Sequence, residues 1–274
     1  RFHLIERRDT NPVQGGVNTA RGRRVACPAQ TERLGVWGRY PRHSPKVTWM
    51  LRKFVNALTG SPRPRRVHGL SDAAGRRRAW WHYQLVDHGF LRYGWTNFAE
   101  IAPGVFRSNH PHAGRLKDYK TRGIRAILNL RGANGSPSFL LEEAACLASG
   151  LDLVSVKFAA RNAPSRDKLL ELLAAFDTIA RPFVMHCKSG ADRAGLAAAL
   201  YLLDQGVPLN IARRQLSVRY LHLKFTKTGV QDALLDVYAA RLAQGPISLR
   251  DWVRTEYDPD VVRARFASRR SLPI

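Results

Sequence analysis

The chain has 274 residues, 45% of them apolar, and a formal net charge of +24. That is enough apolar material for one large packed domain or two small ones. Its three cysteines, Cys27, Cys146 and Cys187, form no C-x-x-C and no even framework, so neither a disulfide scaffold nor a structural zinc site is suggested. No apolar run is long enough to span a bilayer. The free cysteines, and an N-terminal region without the apolar core of a secretory signal, predict a reducing, cytoplasmic setting.

The charge is uneven: residues 1–92 hold 19 Lys or Arg against 5 Asp or Glu. Such a segment attracts polyanions, namely nucleic acid, an anionic membrane surface or a phosphorylated substrate. The plainer account is arginine used for solubility. Residues 1–45 mix Gly, Pro and Arg without a period and predict a disordered basic tail. Met50 is the first methionine and stands as a candidate native start. "KVTWMLRKFVNAL" (46–58) predicts a basic amphipathic helix, followed by the Pro-rich linker "GSPRPRRVHG". Residues 46–96 together read as a basic N-terminal extension.

From residue 97 strands and helices alternate. "GVFRS" (104–108), "IRAILNL" (124–130), "LDLVSVKF" (151–158) and "PFVMHC" (182–187) read as strands. Helices fill the intervals: "AGRLKDYKTRG" stopped by Gly123, "SFLLEEAACLASG" stopped by Gly150, and a third capped by Ser165. A fourth, "DRAGLAAALYLLDQG", is rich in small residues. Helical patterns continue through "IARRQLSVRYLHL", "VQDALLDVYAARLAQ" and "SLRDWVRTEY". The prediction is an α/β fold: a central, mostly parallel sheet of four to five strands with helices on both faces and a helical C-terminal part. Residues 97–225 form the central domain and 226–274 a helical extension packed on it.

The stretch "FVMHCKSGADRAG" (183–195) carries the chemistry. A strand that runs through a Gly-containing turn into a helix aims backbone N–H groups into one bowl, and the helix N-terminus adds partial positive charge. Cys187 lies at the base of that bowl, where dipole, amides and Arg193 favour thiolate, the nucleophilic form. Arg193 can fold its planar fork over two phosphate oxygens, which lysine cannot. Gly190 allows positive φ or close approach. His186 fixes the cysteine from the strand end. Lys188, Ser189, Gly190, Ala191, Asp192 and Arg193 are the expected phosphate-binding residues.

"HCKSGADRAG" resembles the His-Cys-x5-Arg signature loop of the cysteine-dependent protein tyrosine and dual-specificity phosphatases, and is most similar to compact bacterial members. The upstream "GVFRSNHPHAGRLKDYKTRGIRAILNLRG" adds to the likeness, which covers about residues 97–225. The resemblance implies a phosphocysteine intermediate on Cys187, phosphate binding by Arg193, and hydrolysis by water with no metal or other cofactor.

Two departures stand out. Family members carry an aspartate general acid on a loop some thirty residues before the cysteine; here "VKFAARNAPSRDK" has none at that position. Asp152 lies too early, Asp167 lies in a first helical turn, and Asp192 stands inside the loop, as in phosphoinositide phosphatases of the myotubularin and Sac types. Ala194 replaces the usual Ser or Thr, which implies slower release of the intermediate. Lys188 with Arg131, Arg161, Arg213, Arg214 and Arg219 raises a polyanionic substrate. The leading reading is therefore a tyrosine or dual-specificity phosphatase. The alternatives are an inositol phosphate or phosphoinositide phosphatase and a catalytically weak phosphate-binding module. A sulfurtransferase fits the His and Arg less well.

Overall fold

The computed structural model describes residue 70 and residues 72–270. The expectations for residues 1–45, the helix over 46–58, the linker and Met50 lie outside the described residues. Among the described residues no helix is long and apolar enough to cross a membrane.

The described chain opens with α1 (Ala73–Trp81), a π-helical turn His82–Val86 and a single helical turn Leu91–Gly94. Five strands follow: β1 (Ala99–Ala102), β2 (Val105–Ser108), β3 (Ala126–Asn129), β4 (Asp152–Ser155) and β5 (Phe183–His186). They lie in the order β1-β2-β5-β3-β4, with β1 antiparallel to β2 and the other pairs parallel. Four of these match the apolar runs read from the sequence; β1 is an added edge strand.

Helices α2 (Ala113–Thr121), α3 (Pro137–Ser149) and α4 (Arg166–Thr178) link the strands, and α5 (Asp192–Asp204) follows β5. Their ends follow local chemistry. Ser136 accepts a hydrogen bond from Phe139 N–H, Pro137 sits at the first helical position, and Gly150 stops α3 at φ +64°. Ser165 accepts from Lys168 N–H and so caps α4.

The period-two alternation of buried strands sorts side chains between two faces. Leu128, Phe183 and Met185 point into one core with α4 and α5, while Ile127 and Val184 point into a second with Leu116, Tyr119 and Cys146 of α2 and α3. Three further helices, α6 (Val230–Leu242), α7 (Leu249–Thr255) and α8 (Pro259–Arg270), contribute Leu234, Trp252 and Val262 to the larger core. Arg250 bridges Asp177 of α4 and Asp204 of α5, and Tyr257 donates to Pro164 O at 2.6 Å.

One element differs from the sequence pattern. Residues 211–223 are not a helix but a helical turn Leu209–Ala212 and two 3-10 turns, Arg213–Gln215 and Val218–Tyr220. Tertiary bonds overrule helical spacing there. Gln215 O accepts from Arg107 Nη1 (2.7 Å), and Leu221 takes a left-handed conformation at φ +61° that turns His222 inward.

Candidate active site

Cys187 follows β5, whose last residue, His186, is in register with Ser108 of β2 and Asn129 of β3. The site thus lies at the C-terminal edge of the parallel strands, in the crevice where α/β sheets hold ligands. Cys187 is 1% exposed.

The shape of the loop is set from outside. Lys188 O accepts from His110 N–H (3.3 Å), Ser189 O from Asn97 Nδ2 (3.0 Å), and Gly190 O and Ala191 O both accept from Arg107 Nη2 (2.5 and 3.3 Å). Four successive carbonyls are drawn away from the loop centre. In a trans peptide the next N–H points opposite to the carbonyl, so the amides of Ser189, Gly190 and Asp192 turn away from these partners, while Ala191 N–H is given to Ser189 Oγ at 3.3 Å. Successive amides turned to one side of a loop form a nest, the arrangement that suits an anion. Gly190 is required at its place: it has φ +75°, and a Cβ there would meet Asn109 N at 2.7 Å and Ser108 C at 2.8 Å.

Arg107 carries much of this scaffold. It is fully buried on β2, bonds Gln215 through Nη1 and stacks over the Tyr220 ring at 3.7 Å. Burial pushes its guanidinium down to about 10, opposed by neighbouring Tyr220, Cys187 and Asp192, so it stays charged at neutral pH.

Arg193 is half-buried in the first turn of α5, and its Nε is buried without an acceptor among the described residues. A buried guanidinium N–H without a partner is costly, and the Nε atoms of Arg107 and Arg115 share this state.

Behind the loop, His186 Nε2 lies 2.5 Å from Glu142 Oε1 and its Nδ1 lies 3.3 Å from Cys187 O. Burial drives His110 well below the usual histidine range, with the charges of His186 and Arg131 adding to the fall, so it is neutral and its Nδ1 accepts from Arg131 Nη1 at 3.2 Å. His110, Glu142 and His186 bring ligand atoms within 4.8 Å of one another. All three are sealed from solvent; His110 Nδ1 is taken by Arg131, while His186 Nε2 and both Glu142 carboxylate oxygens have no hydrogen-bond partner among the described residues.

The candidate acids separate by position. Asp152 is level with Ala126, which is level with Phe183, at the opposite end of the strands from Cys187. Asp167 is exposed in the first turn of α4. Asp192 opens α5 beside the loop, and its Oδ1 meets His222 Nδ1 at 2.8 Å. His222 also reaches Asp232 Oδ2 of α6 through Nε2, at 2.7 Å. Burial lowers the His222 pKa, but hydrogen bonds from both carboxylates outweigh it and raise it to about 9. The imidazole is therefore protonated at neutral pH and donates at both nitrogens.

A second carboxylate approaches from the N-terminal side. Asp87, buried, takes Arg131 in a fork (2.9 and 3.1 Å), Arg92 (2.8 Å), the Ser138 hydroxyl (3.0 Å) and the Lys188 ammonium (3.3 Å). Against its burial, the guanidinium groups of Arg131 and Arg92 hold its carboxyl well below the ordinary range.

The family model described as "Tc-R-P: Polymorphic toxin system, DSP-PTPase phosphatase" matches residues 103–207. Those residues are a phosphatase domain of the tyrosine and dual-specificity superfamily. The phosphatase domain holds the whole loop, Arg107, Arg131 and Glu142, whereas Asp87, Asn97 and His222 lie outside it. Among solved structures, the core catalytic domain of the PP-IP phosphatase SIW14 from S. cerevisiae shares 18% identity, covering 54% of this chain and 91% of that one at a TM-score of 0.43. TpbA of P. aeruginosa in complex with phosphotyrosine shares 20%, covering 54% and 94% at 0.43. Tk-PTP in its active form shares 21%, covering 54% and 99% at 0.43. No curated protein matches the chain.

Sequence reasoning missed Arg107, Asn97, Asp87, Glu142 and His222. Arg107 left one trace, a cation inside the otherwise apolar run "GVF-S", where a charged residue is buried only with partners. The others sit in segments whose composition is ordinary.

Proposed function

We propose that the phosphatase domain hydrolyses phosphate monoesters by the tyrosine or dual-specificity type of chemistry, without a metal. The observation that carries this reading is the loop itself: four carbonyls tied outward, the amides of Ser189, Gly190 and Asp192 turned the other way, and the buried Nε of Arg193 without an acceptor among the described residues.

In the first step the Cys187 thiolate attacks phosphorus, the S–P bond forms and the P–O bond to the leaving group breaks. These loop amides and Arg193 hold the equatorial oxygens throughout. The leaving oxygen takes a proton relayed through the Asp192 carboxyl from the His222 imidazolium, which is left neutral. In the second step the Asp192 carboxylate takes a proton from water as that water attacks phosphorus, the S–P bond breaks, and the thiolate and inorganic phosphate are released.

The substrate class follows from charge. Of the cations that could read additional phosphates, Lys188 and Arg131 beside the loop already face Asp87, and Arg213 is paired with Asp236. That pairing favours a substrate with one phosphate, a phosphotyrosine or phosphoserine/threonine side chain, over an inositol polyphosphate. Vanadate-sensitive phosphate release from p-nitrophenyl phosphate, phosphotyrosine peptides and inositol phosphates tests both parts. The account requires release from the first two and its loss in Cys187→Ser; turnover in that variant equal to the parent would end it.

A further inference from the structure

Residues 76–93 place large apolar side chains outside the core. Ala79, Tyr83 and Asp87, four apart, face inward, and this turns Trp80, Trp81, Leu85 and Val86 outward. Gly89 then folds the chain back, with Gly89 N–H bonded to Tyr83 O at 2.9 Å and no room for a Cβ against the Tyr83 ring. Gln84 Nε2 donates to the Tyr93 hydroxyl at 3.0 Å, which ties the helical residues to the segment that carries Phe90, Leu91 and Tyr93. All seven are between 44% and 61% exposed. Seven large apolar side chains left exposed within one short segment mark it as a binding surface.

Charge identifies the partner. Arg76, Arg77 and Arg78 are exposed on the same helix, and from residue 73 to 99 the only acid is Asp87, which is buried and paired. We propose that this face docks on an anionic lipid bilayer, with the aromatic and aliphatic side chains entering the headgroup boundary and the three guanidinium groups meeting lipid phosphates. A nucleic acid would satisfy the arginines but leave Leu85, Val86 and Leu91 without an apolar environment. A second copy of the chain would set one arginine cluster against another. The docking face adjoins the candidate site, since Val86 and His88 flank Asp87, whose carboxylate reaches Lys188 of the loop. The proposal stands independently of the catalytic reading, because its test measures binding.

The experiment is sedimentation of the full chain with vesicles of phosphatidylcholine alone and with added phosphatidylserine, at low and high salt. The parent protein is expected to partition onto the anionic vesicles, with its tryptophan emission quenched by brominated acyl chains. Trp80→Ser with Trp81→Ser, both on exposed side chains, should lower the partition at least tenfold. Arg76→Ala, Arg77→Ala and Arg78→Ala together should abolish the preference for phosphatidylserine. Unfolding midpoints within a few degrees of the parent would show that the variants are folded. An unchanged partition in the double tryptophan variant would assign the binding to another basic segment and overturn the proposal. So would a parent that ignores vesicles, or one that dimerises through these tryptophans.

Discussion

His222 Nδ1 stands 2.8 Å from Asp192 Oδ1, so the buried imidazole between α5 and α6 carries a positive charge beside the loop. The charge makes stability depend on pH in a defined direction. A histidine whose folded pKa is raised from 6.5 to about 9 contributes stability that is fully present below 6.5 and lost as pH rises through 9. That displacement corresponds to at most about 3 kcal/mol. Denaturant midpoints from pH 6 to 10 should fall over that window, and His222→Gln should flatten the profile while lowering stability at pH 6.

The same pair should shape catalysis. Turnover of an alkyl phosphate, which needs a proton on its leaving oxygen, should drop about 10²-fold in Asp192→Asn, within the usual range for losing an acid. An aryl phosphate with a good leaving group should lose less. Equal losses on both substrates would take the proton-handling role from Asp192.

Asp87→Asn should shift selectivity. It frees Lys188 and Arg131 to meet a second phosphate, so the kcat/KM ratio for an inositol polyphosphate over a phosphotyrosine peptide should rise by about tenfold, roughly one charge-assisted contact. The variant also leaves Arg92 buried without its counter-ion, which costs about 3 kcal/mol. An unchanged ratio in folded protein would remove Asp87 from substrate choice.

Arg107 and Gly190 test the scaffold. Arg107→Lys keeps the charge but loses the fork that spans Gly190 O and Gln215, so vanadate affinity should fall by at least about tenfold. Gly190→Ala combines positive φ with a clash against backbone and should abolish vanadate binding. Gly123→Ala is the control: φ +82° is equally strained, but open space surrounds it. Binding there should persist, with stability lower by about 1 kcal/mol.

The legibility of this chain follows the distance between cause and effect. "IRAILNL" and "PFVMHC" were readable because strands buried on both faces are apolar throughout. The edge strand Ala99–Ala102 mixes half-buried and exposed positions and gives no such signal. "IARRQLSVRYLHL" has helical spacing, yet Arg107, 108 positions away, takes Gln215 O and the chain bends. The loop from Cys187 to Arg193 was legible because its parts are consecutive. Its supports are not: Asn97 lies 92 residues before Ser189, and His222 lies 30 after Asp192. Nothing local marks a residue whose role is fixed by contacts so remote.

The central claim concerns a bond between sulfur and phosphorus, and rapid acid quenching of a p-nitrophenyl phosphate reaction followed by peptide mass spectrometry reads it directly. The account predicts a phosphoryl adduct on the peptide holding Cys187, formed in a burst because Ala194 leaves the second step slow. The adduct should be absent from Cys187→Ser and suppressed by vanadate. Steady phosphate release with no adduct on that peptide, or release undiminished in Cys187→Ser, would contradict it.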